Sequence, residues 1–208
     1  MKRLQVDFVD VYMAHAVSPQ RYDEVREHHL PVLRKLRLAG KIRWSGISET
    51  FPHDTEHIML KRAAEDGDFD VMMVGYNILN QSASATVVPL AQRNRIATIC
   101  MFAVRRALIS EFHLREYCQT LKPHFESSAI DLDAVFRVLY EEIGPTLLAE
   151  VAYRFARDSS GMDIVLSGTS DLEHLKQNVA TMALPPLPHR VTEVLQKVFG
   201  CTKGLSGQ

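Results

Sequence analysis

His15 closes the run VDFVDVYMAH, Val6 to His15, which is apolar at most positions and is followed by a helical segment. An imidazole titrates near neutrality and can donate or accept a hydrogen bond. The carboxyl ends of parallel strands are where ligands sit in sheets and barrels. On position alone, a ligand-binding histidine and a satisfied edge histidine have about even odds. Arg105 and Arg106 follow a second apolar run, ATICMFAV. Paired guanidiniums offer planar forks that suit phosphate; a solvated basic turn is an equal alternative. Gly168 and Thr169 lead into a helix whose first N–H groups would favour an anion. His174 and Asn178 stand four apart on that helix and share a face. His53 and His57 are also four apart, with Glu56 between them. Two imidazoles on one helical face could serve a metal, but no third ligand is evident, so a solvated helix start is favoured roughly nine to one. GxGxxG, P-loop and GxSxG patterns are absent, which leaves other nucleotide folds and hydrolases without support.

The elements that must position these residues alternate. Val6 to His15 reads as a strand buried on both faces. Arg21 to Leu38 reads as a helix with an apolar stripe, closed by Gly40. Strands follow at Ile42 to Ile47, Phe69 to Tyr76, Ala97 to Val104 and Ile164 to Ser167. Helices are expected at Asp54 to Glu65, Val87 to Arg93, Ser110 to Leu121, Asp131 to Glu141, Thr146 to Arg157, Asp171 to Met182 and Arg190 to Phe199. This rhythm is that of repeated βαβ units and a parallel sheet. Residues after Gly200 read as a loose tail.

Composition narrows the classes. Hydrophobic residues make up 46% and charged residues 24% of 208, an ordinary globular balance with room for one core. A formal net charge of −1 gives no reason to expect nucleic acid. Cys100, Cys118 and Cys201 are odd in number and form no CxxC, which points to a reducing, cytoplasmic setting. No apolar run approaches the ~20 residues of a membrane span.

Several segments together resemble the aldo-keto reductases. LQVDFVDVYMAH resembles the family's fourth barrel strand, whose terminal histidine belongs to a catalytic tetrad. AGKIRWSGISE resembles the fifth strand with its cofactor-contacting Ser-Asn pair, VGYNILNQ the sixth, and ATICMFAVRRAL takes the seventh position. VLSGTSDLEHLKQNVA is similar to the eighth-strand segment that holds the adenosine end of the dinucleotide.

The resemblance implies an α/β fold of the TIM-type barrel, with about five of eight strand-helix units in residues 1–200 and a tail over 201–208. It implies NAD(P)H-dependent reduction of an aldehyde, ketone or sugar carbonyl, with His15 orienting the carbonyl. Ser48 would hold the nicotinamide carboxamide, and Arg105 and Arg106 would lie by the pyrophosphate. Gly168, Thr169, His174 and Asn178 would meet the adenosine end. NADP(H) is the first expectation and NAD(H) the second, on the family resemblance and not on these residues: His174 stands where many NADPH-specific members carry arginine, and it is a weaker ligand for a 2′-phosphate. The sequence departs from the pattern at Glu49, Met73 and Met101, which replace the asparagine, a glutamine and a stacking aromatic ring. The segments that carry the tetrad's aspartate, tyrosine and lysine precede the fourth strand in the family. This chain by itself is therefore expected to lack full activity; the alternative is a non-catalytic half-barrel that binds nucleotide or a partner. Five strands cannot close the family's barrel, and bare strand edges invite self-association.

Overall fold

The computed structural model describes residues 3–121, 130–200, 202 and 204–208. Five strands form one parallel sheet in sequential order: β1 (Val9–Val17), β2 (Ile42–Glu49), β3 (Val71–Gly75), β4 (Ala97–Met101) and β5 (Ile164–Val165). Because every pair is parallel, all carboxyl ends lie on one side. The helices fill the crossovers: α1 (Tyr22–Glu24), α2 (Leu30–Leu38), α3 (Ile58–Asp66), α4 (Ser82–Ala85) and α5 (Val87–Arg93). Beyond β4 come α6 (Glu111–Leu121), α7 (Leu132–Ile143) and α8 (Leu148–Asp158), and after β5 come α9 (Leu172–Met182) and α10 (His189–Phe199).

The first crossover is helical from Tyr22 to Leu38 but widens into a π-helical stretch at Val25–His29. Pro31 stands just beyond it and has no N–H to donate. A π-bulge ahead of a proline absorbs the missing bond and the clash of the ring with the preceding turn. Gly67 ends α3 in the left-handed conformation, φ 67°, and its N–H donates to the Ala63 carbonyl, as a C-cap glycine does.

The core is densest at the middle of the sheet. Ile47, Met72, Val74 and Cys100 are fully buried in one cluster that includes Met59, Leu60 and Ala63 of α3 and Ala91 of α5. Each large aliphatic side chain buried this way contributes roughly 1.5–3 kcal/mol. At the amino ends, Asp70 ties three elements together: its carboxylate accepts from Ser45 N and Oγ, both at 2.9 Å, and from Arg37 Nη1 at 3.1 Å. No helix among the described residues is long and apolar enough to cross a membrane.

The edges differ from what the sequence suggests. Val6 to His15 reads as doubly buried, yet β1 is an edge strand, with Tyr12 52% and Val11 37% exposed. Its inner flank pairs with β2, and among the described residues nothing pairs with its outer flank. The apolar run is genuine, but among the described residues β2 is the neighbour it pairs with. At the other edge, β5 is two residues long, and Leu172 and Val179 of α9 are both 64% exposed. The segment after Gly200, expected to be loose, is tied down where it is described. Leu205 is buried, Ala107 N donates to the Gly207 carbonyl at 3.0 Å, and Gly207 N donates to Tyr117 Oη at 3.1 Å. Backbone pairing anchors it where side-chain composition gives no signal. Cys201 lies outside the described residues.

Candidate active site at the carboxyl ends of the strands

His15 lies on β1, which runs two residues further than expected, to Val17. It is exposed and lines a groove of about 420 Å³ between β1 and α2, with Tyr12, Met13, His29, Val32 and Leu36. The next residue, Ala16, has φ 51° and donates its N–H to Ser48 Oγ at 2.7 Å. Ser48 is buried. Its hydroxyl therefore joins the ends of β1 and β2, and it keeps one proton to donate.

Glu49, the next residue, is buried and fully engaged. One carboxylate oxygen accepts from Gly75 N at 2.7 Å, and both oxygens lie 3.0 Å from His57 Nδ1. This bond ties β2 to the end of β3 and to the loop that enters α3. Burial pushes the Glu49 carboxyl upward, opposed by the His57 bond and charge and by the Gly75 amide. The neighbourhood has no room to spare. A Cβ on Gly75 would lie 2.2 Å from ring carbons of Phe51, so the Phe51 ring sits directly on that glycine.

His57 corrects the expectation of a solvated helix start. It is wholly buried, has a left-handed backbone at φ 57°, and immediately precedes α3. His53 belongs to a separate 3₁₀ turn, Phe51–His53, and is exposed. The helical spacing misleads because α3 begins only at Ile58, where Asp54 accepts from Ile58 N at 2.8 Å and Met59 N at 2.9 Å. Among the described residues, no group of three or more His, Cys, Asp or Glu could hold a metal ion. Sequence reading missed the Glu49–His57 pair. Glu49 itself was a signal, as an acid next to a strand's buried end must find a partner.

Beyond β4, Arg105 places its guanidinium carbon 4.2 Å from the Phe102 ring centroid and donates to the Gln208 side chain. Burial lowers its pKa, and Tyr117 opposes that shift. Arg106 opens a short 3₁₀ turn and is exposed. Beyond β5, Gly168 and Thr169 are exposed, and no atom lies within 4 Å of where a Gly168 Cβ would be. Thr169 Oγ1 accepts from Asp171 N at 3.1 Å, and the Asp171 side chain caps α9 by accepting from His174 N at 2.9 Å. His174 is exposed on the first turn. Asn178 is half-buried and turns toward the sheet, its Nδ2 donating to Ser167 Oγ at 2.8 Å. Ser167 also meets Tyr153 Oη at 3.1 Å, so α8 and α9 are linked through it. Cys100 and Cys118 are free thiols that burial pushes up, to about 12 and about 11, which suits packing and not nucleophilic chemistry.

These residues form two groups of different readiness for a dinucleotide. Arg106 and the Gly168–Thr169 turn are exposed, with donors and open space suited to phosphates, while Arg105 is half-buried and already donates to Gln208. Ser48 and Glu49, which would meet a nicotinamide carboxamide, are already bonded to Ala16 and to Gly75 and His57.

A family model described as the aldo/keto reductase family matches residues 1–198. The NADH-specific methylglyoxal reductase of Escherichia coli is 25% identical over 193 residues, covering 88% of this chain and 56% of that protein. An aldo-keto reductase of Bacillus subtilis is 26% identical over 180 residues, 81% of this chain and 51% of its own length. Among solved structures, the holo form of an aldo-keto reductase from Bacillus halodurans superposes with a TM-score of 0.67 at 23% identity, covering 95% of this chain and 63% of that one. An aldo/keto reductase from Klebsiella pneumoniae in complex with NADP and acetate gives 0.62 at 17% identity, covering 95% and 61%. The chain thus spans about half the length of the curated relatives it matches.

Proposed function

The chain belongs to the aldo/keto reductase family, and we propose that it forms the dinucleotide-holding portion of a carbonyl reductase, five of the eight strand-helix units of a TIM-type barrel. What carries this reading is the convergence of His15, Ser48, Arg105, Arg106, Gly168 and Thr169 at or just past the carboxyl ends of strands that are all parallel. NADP(H) is the first candidate and NAD(H) the second; one relative is NADH-specific and one structural neighbour is in complex with NADP.

The dinucleotide supplies the hydride when bound. Arg105 and Arg106 neutralise the pyrophosphate with planar forks, while Gly168 and Thr169 present backbone N–H groups at the start of α9. His174 and Asn178 flank the adenosine end, Asn178 after release from Ser167. His15 donates a hydrogen bond to the carbonyl oxygen of an aldehyde, ketone or sugar, favouring the negative charge that develops there. No acid able to protonate that oxygen is assigned among these residues, so the chain alone holds nucleotide without turning over. The exposed flanks of β1 and of β5 with α9 are the surfaces by which it completes a barrel or associates with a second copy.

The bonds that already occupy Ser48 and Glu49 favour a second reading, a nucleotide-binding half-barrel with no catalytic role. Both are tested on the purified chain by fluorescence titration with NADPH and NADH, followed by addition of methylglyoxal. Saturable binding without carbonyl-dependent oxidation is expected. Turnover by the chain alone would overturn its incompleteness as a catalyst, and an unchanged fluorescence would overturn the nucleotide reading itself.

A further inference from the structure

Four side chains form a stacked run between β2 and β4. The His57 imidazole lies 5.7 Å from the Phe51 ring at an interplanar angle of 18°. Phe51 lies 5.9 Å from Phe102 at 26°. The Arg105 guanidinium carbon sits 4.2 Å from the Phe102 centroid. Glu49 anchors the far end through both its oxygens, 3.0 Å from His57 Nδ1. The tautomer with its proton on Nδ1 satisfies that bond and leaves Nε2 buried without a partner. The imidazole is therefore held by Glu49 and by ring packing.

Two residues in the run adopt left-handed backbone that bulky L-residues rarely take: His57 at φ 57° and Phe102 at φ 65°. Strain of this kind persists where surrounding contacts fix it, and it concentrates at working sites. Those contacts are present here. Gly75 leaves no space for a Cβ beneath Phe51, Asn77 Nδ2 donates to the Phe102 carbonyl at 3.1 Å, and Glu49 holds His57. The middle member is wholly buried, so its ring cannot tilt without disturbing both neighbours.

We infer that Glu49, His57, Phe51 and Phe102 are positioning residues for Arg105, presenting its guanidinium at the carboxyl ends of the strands as an anion-binding arm. The inference rests on the reading of Arg105 as a pyrophosphate ligand. It also gives Glu49, which stands where the family resemblance expects a cofactor-contacting asparagine, a different task, carried through three rings.

The test pairs a ligand-free readout with a binding one. A guanidinium over a ring face experiences the ring current, so the Arg105 Hε resonance should lie upfield in the wild-type chain. Phe51→Leu, which keeps apolar volume, should move it toward its random-coil position. The same substitution should weaken NADPH binding about threefold to tenfold, and it should add nothing to the loss caused by Arg105→Gln, because coupled residues fail to add. If Phe51→Leu melts too low to use, Phe102→Leu at the half-buried neighbour and His57→Asn, which tolerates left-handed backbone, supply the same comparison. An Arg105 Hε unmoved by these substitutions would overturn the inference, as would an equal loss in the Arg105→Gln background. A wild-type chain that binds no NADPH would remove the phosphate role alone, and the Hε resonance would still decide whether the rings position Arg105.

Discussion

The middle of the sheet and its two edges are built from similar sequences with opposite fates. Met72 and Val74 of β3 are fully buried, whereas Tyr12 of β1 is 52% exposed and Ile164 of β5 is 53% exposed. β3 is paired on both sides, with α3 packed on β2 and α5 on β4 next to it; among the described residues β1 and β5 each pair on one side only. An apolar strand thus specifies a neighbour without saying where that neighbour comes from. The division extends to the candidate site. Glu49 and His57 are built into the closed middle, while His15 and the Gly168–Thr169 turn lie along the open edges. Exposed candidate ligands thus lie along the edges at His15 and the Gly168–Thr169 turn, while Arg105 and Arg106 follow β4 next to the closed middle.

The sharpest way to break this comparison is at the closed end. His57→Ala removes a wholly buried ring, opening a cavity, and leaves the buried Glu49 carboxyl without its partner. It should cost about 3–5 kcal/mol in urea unfolding; a loss below about 1 kcal/mol would mean that the middle does not carry the stability. Glu49→Gln should cost less, about 1–3 kcal/mol, since an amide can still accept from Gly75 N. Its penalty should also depend on pH. Burial raises the folded Glu49 carboxyl above its unfolded value. Its contribution is therefore fully present below the ordinary glutamate range and is lost as pH rises through the folded value. The gap between wild type and Glu49→Gln should accordingly narrow as pH is raised above that range, and a gap that widens would contradict the sign. The smallest effect on stability is expected at the edges. Val11→Lys or Val179→Lys replaces an exposed side chain and should change stability by less than about 0.5 kcal/mol. The same substitutions should reduce concentration-dependent association in sedimentation velocity, since charge on an edge opposes pairing. If they destabilise the monomer as strongly as His57→Ala, the edges are not the open regions described.

The strands and helices were legible because their signals are local. Apolar runs, Gly40 after a helix, and the Val87 to Arg93 segment are readable from neighbouring residues, and a family resemblance orients the whole. The pairings that shape the site were not legible, because they join residues that no period relates. Glu49 finds Gly75 across 26 positions, and Ala16 finds Ser48 across 32. His57 misled most: its four-residue spacing from His53 looks helical, but a 3₁₀ turn and a left-handed residue precede α3, turning one histidine inward and leaving the other in water. Asn178 was placed on the right helix, yet its amide is committed to Ser167, a contact that depends on how α9 folds back toward β5.

Hydrogen exchange on the purified chain, followed by peptide mass spectrometry, tests the division between middle and edges most directly. Amides of β2, β3 and β4 should exchange only near the free energy of global unfolding, while those of β1, β5 and α9 should exchange through much smaller openings. Uniform protection from Val9 to Met182 would contradict the account, because the edges would then be as complete as the centre.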